Sequence, residues 1–115
     1  MADTPSVEWT GASGKKYPYW IYERHPSIKE GSDGNYIYAK VVDNVWVPVY
    51  IGQGDLSVRA TGNHHQIKCI DSKKATHVHM HLTAKEADRL AEEKDLLAGH
   101  PEAYDPKGCN VKEGG

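Results

Sequence analysis

The chain has 115 residues, enough for one domain with a modest core and too few for a catalytic domain beside an independent recognition domain. Its formal net charge is -2, so no global basic field argues for nucleic acid, and any such binding rests on local clustering of Lys and Arg. No run of about 18 apolar residues marks a membrane span and the amino terminus lacks a basic region followed by an apolar run, so a soluble cytoplasmic protein is the expectation.

In chain order, residues 17–22 are aromatic and extended in character, with Pro18 pushing this strand towards a sheet edge. Residues 24–34 read as a loop. Residues 35–42 and 46–52 are strands joined at Asp43-Asn44, an antiparallel hairpin whose second strand ends before the glycine-rich bend Gly52-Gln53-Gly54. Asp55 caps a helix expected over 55–66, which Gly62 weakens or ends. A further strand covers 75–82. Thr83-Ala84-Lys85-Glu86 fits a capping box, starting a helix at about Ala84 that runs through Leu90, Leu96 and Leu97 to Gly99. The tail Lys112-Glu113-Gly114-Gly115 is expected to be disordered. Cys69 and Cys109 lack the spacing of a zinc ribbon and are too few for a disulfide framework, so they read as reduced, structural thiols. The fold class is α/β of the α+β kind, a small, mainly antiparallel three-stranded sheet flanked by helices with an extra N-terminal aromatic strand.

Several side chains invite a chemical reading. Tyr36 and Tyr38 share one face of their strand, and Tyr50 ends the next, which places phenols beside a glycine-rich segment. Arg59 lies a turn into the following helix, where a guanidinium can hold a phosphate bidentately, and His64 and His65 follow. Glu93 falls between Leu96 and Leu97 around the late helix, at the edge of its apolar stripe, whereas Glu92 points among Asp88, Arg89 and Asp95. His77, His79 and His81 occupy one face of a strand, and alternation turns them either to solvent or to the groove holding the tyrosines; the second is the expectation.

Gly34-Asn35-Tyr36 (with Tyr38 as the competing register), Tyr50-Ile51-Gly52, Arg59, His64 or His65, Glu93 in Glu93-Lys94-Asp95-Leu96-Leu97, and Asn110 occur in the order found in the GIY-YIG nuclease family. The chain resembles that family over residues 34–110, the core of a single domain spanning 1–115. The resemblance implies a metal-dependent DNA endonuclease using one divalent ion, Mg²⁺ or Mn²⁺. Glu93 would then be the metal's oxygen ligand and Arg59 would neutralise charge on the phosphoryl oxygens. Tyr36 would help deprotonate the attacking water, and Tyr50 would orient water or phosphate. His64 or His65 would assist proton transfer, and Asn110 would brace the site. Tyr38 and His79 stand as supporting residues, His79 within a polar lining of the groove. DNA is the expected partner, contacted by Lys15, Lys16, Arg24, Lys40, Lys68, Lys73 and Lys74, with Trp20 or Trp46 stacking on a base and a homodimer or partner protein adding specificity. Two alternatives remain open: a nucleic-acid-binding module with weak or no catalysis, and a transition-metal protein built on His77, His79 and His81 with help from His64, His65 or Cys69.

Overall fold

The computed structural model describes residues 5–24, 26–61 and 64–111. Gly62, expected to end a helix, and the tail 112–115 lie outside the described residues. The elements are β1 (Ser6–Thr10), β2 (Lys16–Glu23), β3 (Asp33–Val42), β4 (Val45–Asp55), α1 (Leu56–Arg59), α2 (Ile67–Ser72), β5 (His77–Leu82), α3 (Glu86–Gly99) and a 3-10 turn, Pro101–Ala103. The α+β class holds, but the sheet has five strands in the order β1-β2-β5-β3-β4, every pairing antiparallel. The three expected core strands are neighbours on one side of it, and β1, which no expectation covered, forms the far edge.

Pro18 did not place β2 at an edge. Its pairing with β5 starts only at Trp20, so the missing amide of Pro18 interrupts no rung of that ladder. The β3–β4 hairpin turns on Asp43 and Asn44, with φ of 52° and 65°, the left-handed pair that matches strand twist in a two-residue turn. Its register slips after Tyr38, where Tyr38 faces Tyr50 but Ala39 faces Pro48. The bulge at Val49 turns both Val49 and Tyr50 to the side where Tyr36 and Tyr38 pack.

Both faces of the sheet are covered. On one, Tyr36, Tyr38, Val78 and Met80 meet Leu56 and Ala60 of the α1 segment and Ile70 of α2. On the other, Ile37, Ala39, Ile51, Trp9, Tyr17 and Tyr19 meet Leu96 of α3. The helix expected over 55–66 is only one turn. Asp55 caps it as anticipated, its carboxylate accepting from the Ser57 amide at 3.0 Å; it ends at Arg59, and α2 begins at Ile67. No capping box forms at α3: Lys85 is its N-cap without a side-chain hydrogen bond, and the Thr83 hydroxyl is buried unbonded. The cysteines are not free thiols but are joined as the Cys69–Cys109 disulfide, between residues 40 apart in sequence.

Candidate functional site

Strand parity decides where each candidate goes. Tyr36 pairs with Met80 and Ile37 with His79, so the odd-numbered residues of β5 face away from the tyrosines. This corrects the expected lining: His77, His79 and His81 lie on the opposite face of the sheet from Tyr36 and Tyr38. His79 is fully buried, and its Nδ1 accepts the indole N–H of Trp9 at 2.9 Å. A neutral ring then carries its proton on Nε2, which has no hydrogen-bond partner, and the imidazole and Trp46 rings lie nearly perpendicular, 4.4 Å between centroids. His77 bonds to the Thr76 hydroxyl and His81 to Glu92. Each histidine of the row is thus committed to a different neighbour. Trp46, one of the two expected base-stacking rings, packs on His77 and His79 instead.

On the other face Tyr36 crosses β4 at Gly52. A β-carbon on Gly52 would overlap the Tyr36 hydroxyl, so the absence of a side chain there makes the slot in which that phenol lies. Gly54 serves Arg59 in the same way: its φ of 138° is open to glycine, and a β-carbon would stand 3.2 Å from Arg59 Nε. The segment Gly52-Gln53-Gly54 is therefore not a bend after β4 but part of the strand, cleared for two side chains. Tyr36 stacks on Tyr50 at 6.0 Å, 13° from parallel, and its hydroxyl lies 2.6 Å from His64 Nε2. Tyr38 instead donates to the Arg59 carbonyl at 2.7 Å and so secures the end of α1. The two registers left open in the sequence thus separate into a tyrosine in the site and a tyrosine beneath it.

The two histidines separate as well. His64 is buried, while His65 is exposed, stacked on it at 4.3 Å. The Gln66 amide donates to His64 Nδ1 at 2.9 Å, which leaves the proton of the neutral imidazole on Nε2, donated to the Tyr36 oxygen. Burial, then the neighbouring His65 and Arg59, pull the His64 pKa down to about 4, so the ring is neutral at pH 7. Burial, followed by Tyr50, holds the Tyr36 phenol well above its ordinary range, with Arg59 opposing and Glu93 adding to the rise. Tyr50 is raised first by burial and then by Glu93, and lowered by Arg59 and by a hydrogen bond with Tyr36. Arg59 and Glu93 therefore act on the same pair of phenols with opposite sign.

Glu93 opens onto a cleft of about 810 Å³, also lined by Tyr50, His65, Gln66, Tyr104 and Asn110. Its neighbour Glu92 corrects the expected helix face. The buried residues of α3 are Arg89, Glu92 and Leu96, and Leu90 is 46% exposed. Hydrogen bonds carry this polar interior: Glu92 accepts from Tyr19 at 2.5 Å and meets His81 at 2.6 Å, while Arg89 donates to Gln53 and to the Thr83 and Ala84 carbonyls. Asn110 clamps the outer edge of β4, accepting from the Ile51 amide at 2.8 Å and donating to the Ile51 carbonyl at 2.9 Å. Among the described residues no three His, Cys, Asp or Glu side chains gather as a ligand set. A single carboxylate, that of Glu93, beside phenol and amide oxygens is a donor set of the hard-oxygen kind that suits an ion keeping most of its waters.

Several expected phosphate contacts are engaged within the fold. Arg24 pairs with Asp71 at 2.7 Å and lies over the Tyr38 ring, and Lys40 and Lys73 donate to the carbonyls of Lys73 and Pro106. Reading the sequence missed Gln66, which acts through a backbone amide and leaves no signal in residue type. It also misread the two glycines, whose place inside a strand is itself the sign of close approach. Comparison of the chain with protein-family models, curated proteins and solved structures returns no match.

The neutral histidines make a prediction about acid stability. Burial, then His77, draws His79 down to about 4, as His64 is drawn. Between pH 6.5 and 4 the unfolded chain binds more protons at these rings than the folded one does. Their contribution is complete above about 6.5 and falls away as the pH drops towards 4, roughly 1–2 kcal/mol for each ring once solvent screening is allowed for. Urea unfolding from pH 7 to pH 4.5 should show this decline, and His79→Gln should make it shallower. An equal slope in wild type and variant would mean that His79 takes up its proton in the folded state as readily as in the unfolded.

Proposed function

We propose that the chain is a metal-dependent DNA endonuclease of the GIY-YIG kind, acting at the cleft beside Tyr50. The observation that carries this reading is the grouping of Tyr36 with Tyr50 and His64, with Arg59 against Gly54 two residues along β4 and Glu93 lining one cleft with Tyr50; the five come from β3, β4, α1, the segment before α2, and α3.

Each residue can then be given a task. Glu93 holds the ion, and Mg²⁺ or Mn²⁺ bound there would supply Lewis-acid stabilisation of a phosphoryl oxygen. Arg59, which has no carboxylate partner among the described residues, is available for a phosphate oxygen. Tyr36 accepts the His64 Nε2–H on its oxygen and points its own proton away from His64, while burial keeps the phenol protonated. His64 thereby tunes and orients Tyr36 rather than taking its proton. Tyr50, stacked alongside, places a second hydroxyl at the cleft. Asn110 fixes the strand on which Tyr50 sits.

Nicking of supercoiled plasmid with Mg²⁺ or Mn²⁺ tests the reading. Arg59→Ala should lower the rate by about 10²–10³-fold, the usual cost of losing one charge-stabilising group. No nicking with either ion, while the chain still retards duplex DNA on a gel, would favour the binding module without catalysis; the internally engaged Arg24, Lys40 and Lys73 already leave that binding surface thin.

A further inference from the structure

We propose that the Cys69–Cys109 disulfide is a redox-sensitive strut across this cleft, holding its two walls together when oxidised and releasing both when reduced. One end lies in the C-terminal segment that splints β4. The Cys109 amide donates to the Val49 carbonyl at 2.7 Å, and Asn110 makes both of its side-chain hydrogen bonds to Ile51. These contacts bracket Tyr50 on either side. The other end lies in α2, a six-residue helix whose only buried residue is Ile70. The chain entering that helix carries Gln66, whose amide fixes His64, and Ile67, whose amide donates to the His64 carbonyl. One covalent bond therefore couples the support of Tyr50 to the support of His64.

The cleft shows the same division. His65 and Gln66 stand on the α2 side, Tyr104 and Asn110 on the C-terminal side. A helix of six residues is too short to persist by its own backbone bonds, so its anchorage decides its order. The bond joins residues 40 apart, and cutting it leaves the two segments held by packing and by the exposed hydrogen bond from Lys73 Nζ to the Pro106 carbonyl.

Cys109 is buried, 2% exposed, while Cys69 is partly exposed, so a thiolate reaches the Cys69 sulfur first. A dithiol reductant attacks there and forms a mixed disulfide, and Cys109 leaves as a thiolate and takes up a proton. The second thiol of the reductant then displaces Cys69. The reductant ends as a cyclic disulfide, having supplied two electrons and two protons to the pair.

Hydrogen exchange on the full chain, oxidised and after treatment with dithiothreitol, reads this without reference to activity. Reduction should speed exchange at the Gln66, Cys109 and Ile51 amides at least ten-fold and leave Ile21, whose amide donates to the Pro5 carbonyl on the far side of the sheet from β4, unchanged. The paired substitution Cys69→Ser/Cys109→Ser should reproduce the reduced pattern. Unchanged exchange after two thiols per chain have been titrated would overturn the proposal. So would a uniform gain including Ile21, which would make the bond a general stabiliser, and so would two free thiols in protein purified under air. A second readout rests on the endonuclease reading: nicking should fall at least ten-fold on reduction and return on reoxidation. If the oxidised protein does not nick at all, that reading fails, and the exchange measurement still decides the strut.

Discussion

Replacing Glu93 by glutamine should lower metal-dependent nicking by about 10³-fold or more, since a ligand to a Lewis-acid ion contributes several kcal/mol to the transition state. It should leave thermal stability near wild type. Glutamine keeps the shape and one carbonyl oxygen but loses the charge that draws a divalent ion, and Glu93 is only partly buried at the cleft. The adjacent Glu92→Gln should behave in the opposite way. Its carboxylate is buried and serves Tyr19 and His81 at one oxygen, Oε2; an amide keeps both contacts only through a neutral, weaker carbonyl acceptor and sets a buried NH2 group in place of the other oxygen. That substitution should cost about 1–3 kcal/mol of stability and leave the turnover of the folded fraction within a few-fold. Nicking rates under single-turnover conditions, set beside thermal melts, separate the two. Nicking that survives Glu93→Gln but not Glu92→Gln would move the ion to the other face of α3.

The two glutamates also show where residue pattern stops being informative. Helical spacing placed Glu93 correctly, about 60° round from Leu96 towards Leu97. The same spacing turned Glu92 outward with Arg89, because a charged residue is ordinarily assigned to water. Glu92 is buried since β2 and β5 bring Tyr19 and His81 over the helix, and Arg89 since β4 brings Gln53 to it; strand order is not a property of the helix's own sequence. The histidine row failed for the same reason. Alternation showed that His77, His79 and His81 share a face, but only the register against β3 shows which one, and a shift of a single residue would have put them with the tyrosines. By contrast the hairpin, its turn and the Asp55 cap were legible, because each depends on neighbours close in sequence. The bond between Cys69 and Cys109 could not be read, because two cysteines 40 residues apart carry no sign of being adjacent in space.

Gly52→Ala tests whether the slot in β4 is what aligns the phenols. The added methyl would overlap the Tyr36 hydroxyl and lie 2.9 Å from Cε1 of Tyr50. Tyr36 cannot retreat, being 1% exposed and set edge-on to both Tyr38 and His64. The expected cost is about 1–3 kcal/mol, the usual result of adding a methyl group to a filled interior. Nicking should fall by more than that loss of folded protein explains, about 10²-fold, because a shift of roughly 1 Å in a reacting group is felt directly in the rate. If the clash with Tyr36 is the cause, removing the ring must relieve it. In a Tyr36→Leu background, Gly52→Ala should change stability by no more than about 0.5 kcal/mol, the coupling appearing in the double-mutant cycle. A full penalty persisting in that background would place the strain in the β4 backbone instead, and Gly52 would then be a residue of the strand rather than of the site.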